Sequence, residues 1–488
     1  MTGTEADVAV VGAGPAGLAA ALAAAEAGAR VAIVDAGVRP GGQYWRSPAP
    51  GTGRFRAATL HHGWTRFTST VGRLAALADA GRVVRLAGHH VWSVTPEDDG
   101  WALRCLVGAE PRQHGTPGPV TVSARRLVLA TGAYDRQLPF PGWDLSGVLT
   151  AGGAQALLKG HLVVPGRRVV VAGTGPFLLP VADGLARYGA RVAAVLEANG
   201  PLALTRHPPA LLGAAGKVGE AAGYAVRLLR HRVPVRHRHV VLRATGTDRL
   251  TGVVVGRRTR DGRISPGTER RIDCDVLAVG WGFTPQLDLA LQLGCATRVD
   301  VDQSLVLSVD EDQTTSVPGV WAAGEVTGVG GADLATVEGR IAGASAAGSL
   351  DLAAPPGDRV ARRRRRALRR FAAALHRAYP VPADVLARCA DETVVCRCEE
   401  VGAGEIRQAV TGLGATEART VKLLARPGMG WCQGRVCGFA TACLTARFAG
   451  RAVTEADLRA FAERPIAAPL SLGWLAASED DGSDVDHG

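Results

Sequence analysis

The chain opens with a strand, a glycine turn and a helix in the order typical of a dinucleotide-binding unit. The segment DVAVVGAGPAGLAAALAAAEAGARVAIVD places Gly12, Gly14 and Gly17 in a G-x-G-x-x-G pattern directly after a Val-rich run. The first glycine permits the tight turn, the second lets a pyrophosphate approach the backbone, and the third lets the helix pack closely on the strand. Asp35 ends the next strand, where a carboxylate can bind the adenosine ribose. This pattern predicts a Rossmann-like α/β fold.

A second unit of the same kind follows in RRVVVAGTGPFLLPVADGLARYGARVAAVLE. Gly173 and Gly175 repeat the first two glycines, and Glu197 takes the place of the ribose-binding acid. Leu178 stands at the third glycine position, where its side chain should push the helix away from the strand and deform the phosphate cradle. Two interpretations stay open: a domain kept for packing or for a different nucleotide, and an NAD(P)H reductase site.

Three further segments decide between FAD and NAD at the first site. They are GVRPGGQYW, RLVLATG and PGVWAAGEVTG, spread over the first two thirds of the chain. They resemble the elements that approach FAD in two-dinucleotide-binding-domain flavoproteins, with Glu325 where that superfamily usually has aspartate. The resemblance implies these FAD-binding residues: Gly12, Gly14, Pro15, Ala16, Gly17, Asp35, Gly42, Gln43, Thr131, Gly132, Gly324 and Glu325.

Four cysteines near the C-terminus form two close pairs in glycine-rich surroundings. Cys396 and Cys398 lie in VVCRCEEV, and Cys432 and Cys437 lie in GMGWCQGRVCG. Four thiolates are the ligand set of a [2Fe-2S] cluster. They could also bind zinc, although C-x-C is tight for two corners of one tetrahedron, or remain buried free thiols. The pattern favours the iron–sulfur cluster.

The remaining chemistry-bearing residues give no clear catalytic arrangement. No C-x-x-C or C-x4-C directly follows the first glycine motif or lies in the second nucleotide unit, which argues against a disulfide reductase. The pairs His61–His62 and His89–His90 are predicted to be surface or strand-end residues, and the catalytic residues stay unknown. The other cysteines are predicted to occupy core or neutral positions; they are Cys105, Cys274, Cys295, Cys389 and Cys443.

Composition limits the partners and the compartment. Arginine carries almost all of the formal net charge of +11, and its run over 362–366 with 369 and 370 is predicted as a solvated linker helix rather than a nucleic-acid site. No apolar run is long enough to span a membrane, and the start has no basic signal-peptide region. With nine cysteines, four of them predicted metal ligands, the sequence predicts a cytoplasmic protein.

The length of 488 residues is enough for several domains. The last residues, SEDDGSDVDHG, are acidic and are predicted to be disordered. The predicted division is an FAD-binding domain over 1–150 and 300–352, a second nucleotide-binding-like domain over 165–299, a Pro/Arg-rich linker over 353–388, a [2Fe-2S] domain over 389–450 and a tail over 451–488.

Three longer segments carry a resemblance to a known family. They are ATGAYDRQLPFPGWDLSGVLTAGGAQALLK, GTGPFLLPVA and CRCE…GMGWCQGRVCG. Together they resemble the FAD-containing subunit of heteromeric bacterial amine and amino-acid dehydrogenases. This family includes the A subunit of opine oxidase, the B subunit of hydrogen cyanide synthase, and D-hydroxyproline or proline dehydrogenase subunits. The cysteine region resembles the bacterioferritin-associated-ferredoxin type of [2Fe-2S] domain.

The resemblance implies a division of labour. A partner subunit with its own flavin, similar to amine oxidases, oxidises a secondary amine, D-amino acid, hydroxyproline or opine, and the subunit resembling this chain relays the electrons. A small ferredoxin-like subunit is a further candidate partner, whereas nucleic acid and membrane are not expected. Arg397 and Arg435, inside the ligand loops, could offset the cluster charge or face solvent.

Two other functions stay open from the sequence. One is a self-contained NAD(P)H-dependent ferredoxin or nitrite-type reductase, which would need an intact second nucleotide site. The other is a non-catalytic sensor or scaffold with zinc in place of the cluster.

Overall fold

The computed structural model describes residues 4–49, 52, 57–107, 120–201, 203–206, 215–352, 359–472 and 475. The helices are α1 Pro15–Glu26, α2 Ala57–Leu60, α3 Trp64–Asp79, α4 Ala151–His161, α5 Leu178–Arg187, α6 Ala215–Arg230, α7 Asp288–Gln292, α8 Ala332–Gly348, α9 Arg359–Ala378, α10 Ala403–Thr411, α11 Ala418–Ala425, α12 Gly438–Phe448 and α13 Glu455–Ala462. Short 3₁₀ helices cover Leu204–Arg206, Glu325–Thr327 and Leu386–Arg388.

The strands are short and distributed over the whole chain. They are β1 Thr4–Val11, β2 Val31–Asp35, β3 Val83–Ala87, β4 His89–Glu97, β5 Gly100–Val107, β6 Val120–Leu129, β7 Ala133–Asp135, β8 Val148–Thr150, β9 Arg168–Gly173, β10 Arg191–Glu197, β11 Val235–His237, β12 His239–Gly246, β13 Leu250–Arg257, β14 Arg270–Asp273, β15 Val276–Gly280, β16 Phe283–Pro285, β17 Thr297–Val299, β18 Leu305–Leu307, β19 Val320–Ala322, β20 Val394–Cys396 and β21 Val401–Gly402.

The first sheet is built around β1. Its order is β3-β2-β1-β6-β5-β4, and β19 pairs in parallel with the last residues of β6. Val8 to Val11 are buried on both faces, as expected for a central parallel strand rich in β-branched residues. Helices α1 and α8 cover one face and pack very closely, because a side chain at Gly339 or Gly343 would meet the α1 backbone. The glycine turn after β1 therefore lies at the carboxyl end of a rigid sheet.

The second sheet has the parallel order β11-β10-β9-β15-β8. A three-stranded antiparallel sheet, β12-β13-β14, packs beside it, and the short antiparallel pair β7 and β16 joins the two nucleotide-type regions. The predicted mixed α/β fold with two Rossmann-like units is confirmed.

The cysteine region forms a small unit of four helices and a short hairpin. Its apolar residues do not make a separate core: Val395, Ile406 and Leu444 belong to a cluster shared with the second sheet, and Leu458 and Phe461 belong to one shared with the first. Helix α13 packs against α11 and α12 within this unit, and Asp457 pairs with Arg451. The unit therefore continues past Gly450, and α13 lies within the segment predicted as the C-terminal tail. The acidic end SEDDGSDVDHG lies outside the described residues.

The arginine run forms helix α9, which packs against α8. Arg365 and Arg369 donate to the fully buried Glu338 of α8, whereas Arg366 pairs with Glu311 on the surface. The prediction of a solvated linker helix is therefore wrong for one face, because two guanidinium groups bind a buried carboxylate. Among the described residues, no helix combines the length and the apolar character needed to cross a membrane.

Candidate functional site: a dinucleotide cavity beside a cysteine loop

The first glycine turn has the close contacts that a phosphate cradle needs. Gly12 has φ +105°, and a Cβ there would lie 2.4 Å from the Ala130 carbonyl oxygen. A Cβ on Gly17 would lie 1.8 Å from the Gly12 carbonyl oxygen, so only glycine lets α1 approach the strand. A Cβ on Gly14 would have no neighbour closer than Gly42 Cα at 4.0 Å. Gly14 therefore faces open space at the N-terminus of α1, where Pro15 and Ala16 follow.

Asp35 lies at the edge of this cradle. Burial raises the pKa of its carboxyl group, and the nearby main-chain groups of Ala13 and Gly37 oppose this shift. The turn with Gly42 and Gln43 packs onto the cradle, since a Cβ on Gly42 would lie 2.9 Å from Gly14 Cα. The predicted ribose acid and the GGQ segment are thus brought together around one turn.

Two more predicted elements reach the same place from distant parts of the chain. The Thr131 hydroxyl donates to the Gln286 carbonyl oxygen at 2.7 Å, which ties the end of β6 to the segment after β16. Gly324 approaches the first helix, with its added Cβ 2.9 Å from Ala16 Cβ. The Glu325 carboxylate accepts the N–H groups of Gly330 and Gly331 at 3.0 and 2.9 Å. Its described hydrogen bonds therefore shape the turn before α8.

A single large cavity connects these elements. Its volume is about 2450 Å³, and its lining includes the first glycine turn, Asp35, Gly42–Gln43, Thr131–Gly132 and Gly324–Glu325. The backbone approaches, the open helix N-terminus and the space are those that FAD requires, so these residues could hold it. The sequence prediction named residues that the fold collects around one cavity.

Sequence reasoning missed a polar group in this cavity. Lys159 of α4 is buried; burial lowers its pKa to about 8, and its Nζ donates to the Tyr44 carbonyl oxygen at 3.2 Å. His61 is also buried, and its Nε2 lies 2.7 Å from the Arg46 carbonyl oxygen, so the surface prediction is wrong for His61. His89 and His90 begin β4, as predicted for a strand end, and line the same cavity. The sequence signal for Lys159 was its place after the apolar run AQALL in a chain with three lysines.

The second glycine turn lines the same cavity and also contacts a later part of the chain. Glu197 accepts hydrogen bonds from Gly175 N at 2.8 Å and from Asn199 N at 2.8 Å, and burial raises its pKa to about 7. The segment after α9 lies against one side of this turn. The Tyr379 carbonyl oxygen accepts the Thr174 hydroxyl at 3.1 Å, and Tyr379 Cβ is 4.0 Å from an added Cβ on Gly175. Leu178 at the third glycine position is buried.

The four cysteines near the C-terminus converge as two pairs. Cys396 lies close to Cys437, and Cys398 lies close to Cys432. Within the described ranges, no group of three or more Cys, His, Asp or Glu side chains is placed to bind one metal ion. Two pairs match a [2Fe-2S] cluster, in which two thiolates bind each iron, better than a single zinc ion with four ligands.

Glycines in the loops around the cysteines let the main chain approach the thiols closely. The Gly428 N–H lies 3.5 Å from Cys396 Sγ, and a Cβ on Gly430 would lie 2.2 Å from Cys398 Cβ. Cys396 and Cys437 are buried, whereas Cys398 is exposed and Cys432 is half-buried beside the exposed Trp431. The four thiols could therefore hold a cluster with one buried and one exposed edge.

The two arginines of the ligand loops do not simply face solvent. The Arg397 guanidinium lies 4.1 Å from the centre of the Trp143 ring and donates to the Trp143 carbonyl oxygen. Arg435 pairs with Asp288 at 2.9 Å. Each arginine therefore connects a ligand loop to another part of the molecule.

The cysteine unit forms part of the wall of the large cavity. Helix α12 starts immediately after Cys437, and Phe439, Cys443 and Arg447 of this helix line the cavity. The Arg136 guanidinium lies 4.2 Å from the centre of the Phe439 ring. The buried ligand pair is thus separated from the cavity by little more than the first turn of one helix. The isolated cysteines Cys105, Cys274 and Cys295 are buried core residues, while Cys389 and Cys443 are half-buried.

Two family matches agree with this geometry. Residues 6–349 match the family described as pyridine nucleotide-disulphide oxidoreductase, and residues 394–443 match the BFD-like [2Fe-2S] binding domain. The first match indicates FAD and the second a [2Fe-2S] cluster, so both predicted cofactors are confirmed at the level of the family.

Individual proteins resemble the chain over nearly its whole length. It is 33% identical to hydrogen cyanide synthase subunit HcnB of Pseudomonas aeruginosa, over 88% of this chain and 90% of that protein. It is also 33% identical to the A subunit of opine oxidase of Agrobacterium tumefaciens, over 96% of this chain and 91% of that protein. The crystal structure of L-proline dehydrogenase from P. horikoshii shares the fold, with a TM-score of 0.68 at 20% identity, and the match covers 97% of this chain and 80% of that one. The chain therefore belongs to the pyridine nucleotide-disulphide oxidoreductase family, in the group with the opine oxidase A subunit and hydrogen cyanide synthase subunit HcnB that carries a BFD-like [2Fe-2S] domain.

Proposed function

We propose that this chain is the electron-relaying subunit of a heteromeric dehydrogenase or oxidase that acts on the CH–NH group of a secondary amine, D-amino acid, hydroxyproline or opine. The similar proteins are named as subunits, of opine oxidase and of hydrogen cyanide synthase. A second flavoprotein subunit would bind the substrate and deliver the electrons.

One observation carries the proposal. The cavity that collects the FAD-type elements shares a wall with the cysteine unit, through Phe439 and Cys443 of α12. Cys437, directly before this helix, is one of the two buried thiols. A two-electron group in the cavity and a one-electron group at the cysteines would therefore be neighbours in one rigid structure, as electron relay requires.

Each set of residues has a proposed role. The glycine turn with Gly12, Gly14 and Gly17 would bind the FAD pyrophosphate through main-chain N–H groups, and Asp35 would bind the ribose. Cys396, Cys398, Cys432 and Cys437 would hold the cluster. When bound, FAD accepts an electron pair and the cluster accepts single electrons. The exposed Cys398 edge beside Trp431 would face an outside acceptor.

The second nucleotide unit supports a protein partner as the electron source. Tyr379 lies against one side of the turn that would receive a nicotinamide nucleotide, and the Pro380 carbonyl oxygen accepts the Asn199 amide at 3.0 Å. Leu178, at the third glycine position of this unit, is buried. We therefore propose a packing role for this unit rather than a reductase site.

Anaerobic stopped-flow mixing tests the proposal. The isolated holo chain is mixed with NADH, NADPH, proline, hydroxyproline, sarcosine and opines, and the flavin absorbance should stay oxidised with all of them. The chain co-expressed with a flavoprotein encoded next to it should form a complex that reduces an artificial dye with one of these amines.

Two results would contradict the proposal. Rapid bleaching of the flavin in the isolated chain by NADH or NADPH would make the protein a self-contained reductase. Stoichiometric zinc without acid-labile sulfide, in anaerobically purified protein, would exclude the relay and favour a zinc-bound scaffold.

A further inference from the structure

A buried group of one carboxylate and two guanidinium groups joins the cysteine loop to the wall of the dinucleotide cavity. Asp288, the first residue of α7, accepts Arg435 Nη2 at 2.9 Å and Arg464 Nη1 at 2.6 Å on the same oxygen. The side chains of Asp288 and Arg464 are 2% and 7% exposed, and that of Arg435 is 19% exposed. We call Asp288, Arg435 and Arg464 the arginine–aspartate joint.

Both arginines of the joint also hold the ligand loop between Cys432 and Cys437. Arg435 Nη1 donates to the Cys432 carbonyl oxygen at 3.3 Å and to Gln433 Oε1 at 3.0 Å. Arg464 Nε donates to the Gln433 carbonyl oxygen at 2.8 Å. The loop that carries two of the four thiols is therefore fixed to α7 by charge-assisted hydrogen bonds.

The other side of the joint faces the cavity. Asp288 lines it, and its Oδ2 is buried without a hydrogen-bond partner among the described residues. Tyr134 lies near Arg464 and follows the predicted FAD-binding pair Thr131 and Gly132 by two residues. The joint therefore lies between the two redox sites rather than on a remote surface.

The joint carries a net positive charge, because two guanidinium groups face one carboxylate. Reduction of a [2Fe-2S] cluster adds one negative charge, and a buried positive charge close to the cluster favours the reduced form because water screens it little. We propose that the arginine–aspartate joint positions the ligand loop against the cavity and sets the reduction potential of the cluster. This inference rests on the proposed function, in which the four thiols hold the cluster.

The test is a redox titration of the holo chain, followed by the EPR signal of the reduced cluster. Asp288→Asn keeps the shape of the side chain and removes the negative charge, so the reduction potential should rise. Arg435→Gln and Arg464→Gln each remove a positive charge, so the reduction potential should fall. Arg407→Gln is the matched control, because Arg407 lies on α10 of the same unit in an exposed pair with Asp391, and it should leave the potential unchanged.

The reduction potential should shift in opposite directions in Asp288→Asn and in the two arginine variants, and this distinguishes an electrostatic role from a merely structural one. A loosened loop would admit water in every variant and shift all the potentials in the same direction. Shifts of one sign, or no shift, in Asp288→Asn and Arg464→Gln would overturn the inference. Arg464 stands outside the ligand loop, so Arg464→Gln decides the question even if Arg435→Gln loses its iron. A wild-type chain without iron and acid-labile sulfide would remove the proposed function and the inference together, and iron analysis detects that case before any titration.

Discussion

The buried carboxylate between α8 and the arginine helix α9 gives a quantitative prediction. Glu338 is fully buried and accepts Arg369 at 2.8 Å, Arg365 at 3.2 Å, the Thr327 hydroxyl at 3.1 Å and the Gly324 N–H at 3.2 Å. Glu338→Ala would leave two guanidinium groups without their carboxylate. Removal of one partner from a buried ion pair costs about 3–5 kcal/mol. Because the two arginine side chains keep 15% and 21% exposure, we expect about 3 kcal/mol.

The loss should appear first at the dinucleotide cavity, because Gly324 belongs to the predicted FAD-binding elements. The midpoint temperature of flavin release on heating, measured by flavin fluorescence, should fall by about 6–12 °C. This follows because ~1 kcal/mol of stability corresponds to ~2–4 °C in a domain of roughly 150–250 residues.

The chain offers a matched control on the same helix. Arg366 pairs with Glu311 at 2.9 Å, but both side chains are 58% exposed. Glu311→Ala should therefore move the transition much less than Glu338→Ala does, because solvent screens the exposed pair. Equal shifts in Glu338→Ala and Glu311→Ala would refute the argument that burial gives the Glu338 network its strength.

Three further outcomes follow from the site. Gly14→Val should fold but lose FAD, as measured by circular dichroism and flavin absorbance, because its added Cβ has no protein atom closer than 4.0 Å but would fill the phosphate position. Gly17→Ala should lose stability as well, because its Cβ would lie 1.8 Å from the Gly12 carbonyl oxygen. Cys398→Ser should lose iron and keep one FAD per chain. Burial raises the pKa of Glu197 from 4.5 to about 7, so the neutral carboxyl group stabilises the folded protein fully below pH 4.5. Up to about 3 kcal/mol of this stability is lost as the pH rises through 7. Glu197→Gln should remove most of this pH dependence from the denaturant midpoint.

The fold class, the family and both cofactors could be predicted from the sequence because their signals are local. A glycine turn after a Val-rich strand and paired cysteines in glycine-rich loops each occupy a few consecutive residues. The roles of the individual site residues stay predictions, although the structure brings Asp35, Gly42, Thr131 and Gly324 to one cavity.

The errors concern residues whose partners are far away in the chain. Composition alone showed an arginine run, but Arg365 and Arg369 are four residues apart on one face of a helix, a spacing that could have indicated a buried partner. His61 was expected on the surface, yet it is buried beside Arg46. Asp288 meets Arg435 across 147 residues, and no local pattern marks such a pair.

Strand β6 has consequences for the order in which the chain folds during synthesis. The first residues of β6 pair with β5. Its last residues, beside the glycine turn, pair on the same edge with β19, which is synthesised roughly 190 residues later. At about 5–20 residues per second, the ribosome needs on the order of 10–40 s to supply it. The strands from β9 to β15, which form most of the second sheet, emerge completely within that interval. The second sheet can therefore form before the first sheet is complete, and the dinucleotide cavity closes only after α8 has left the ribosome.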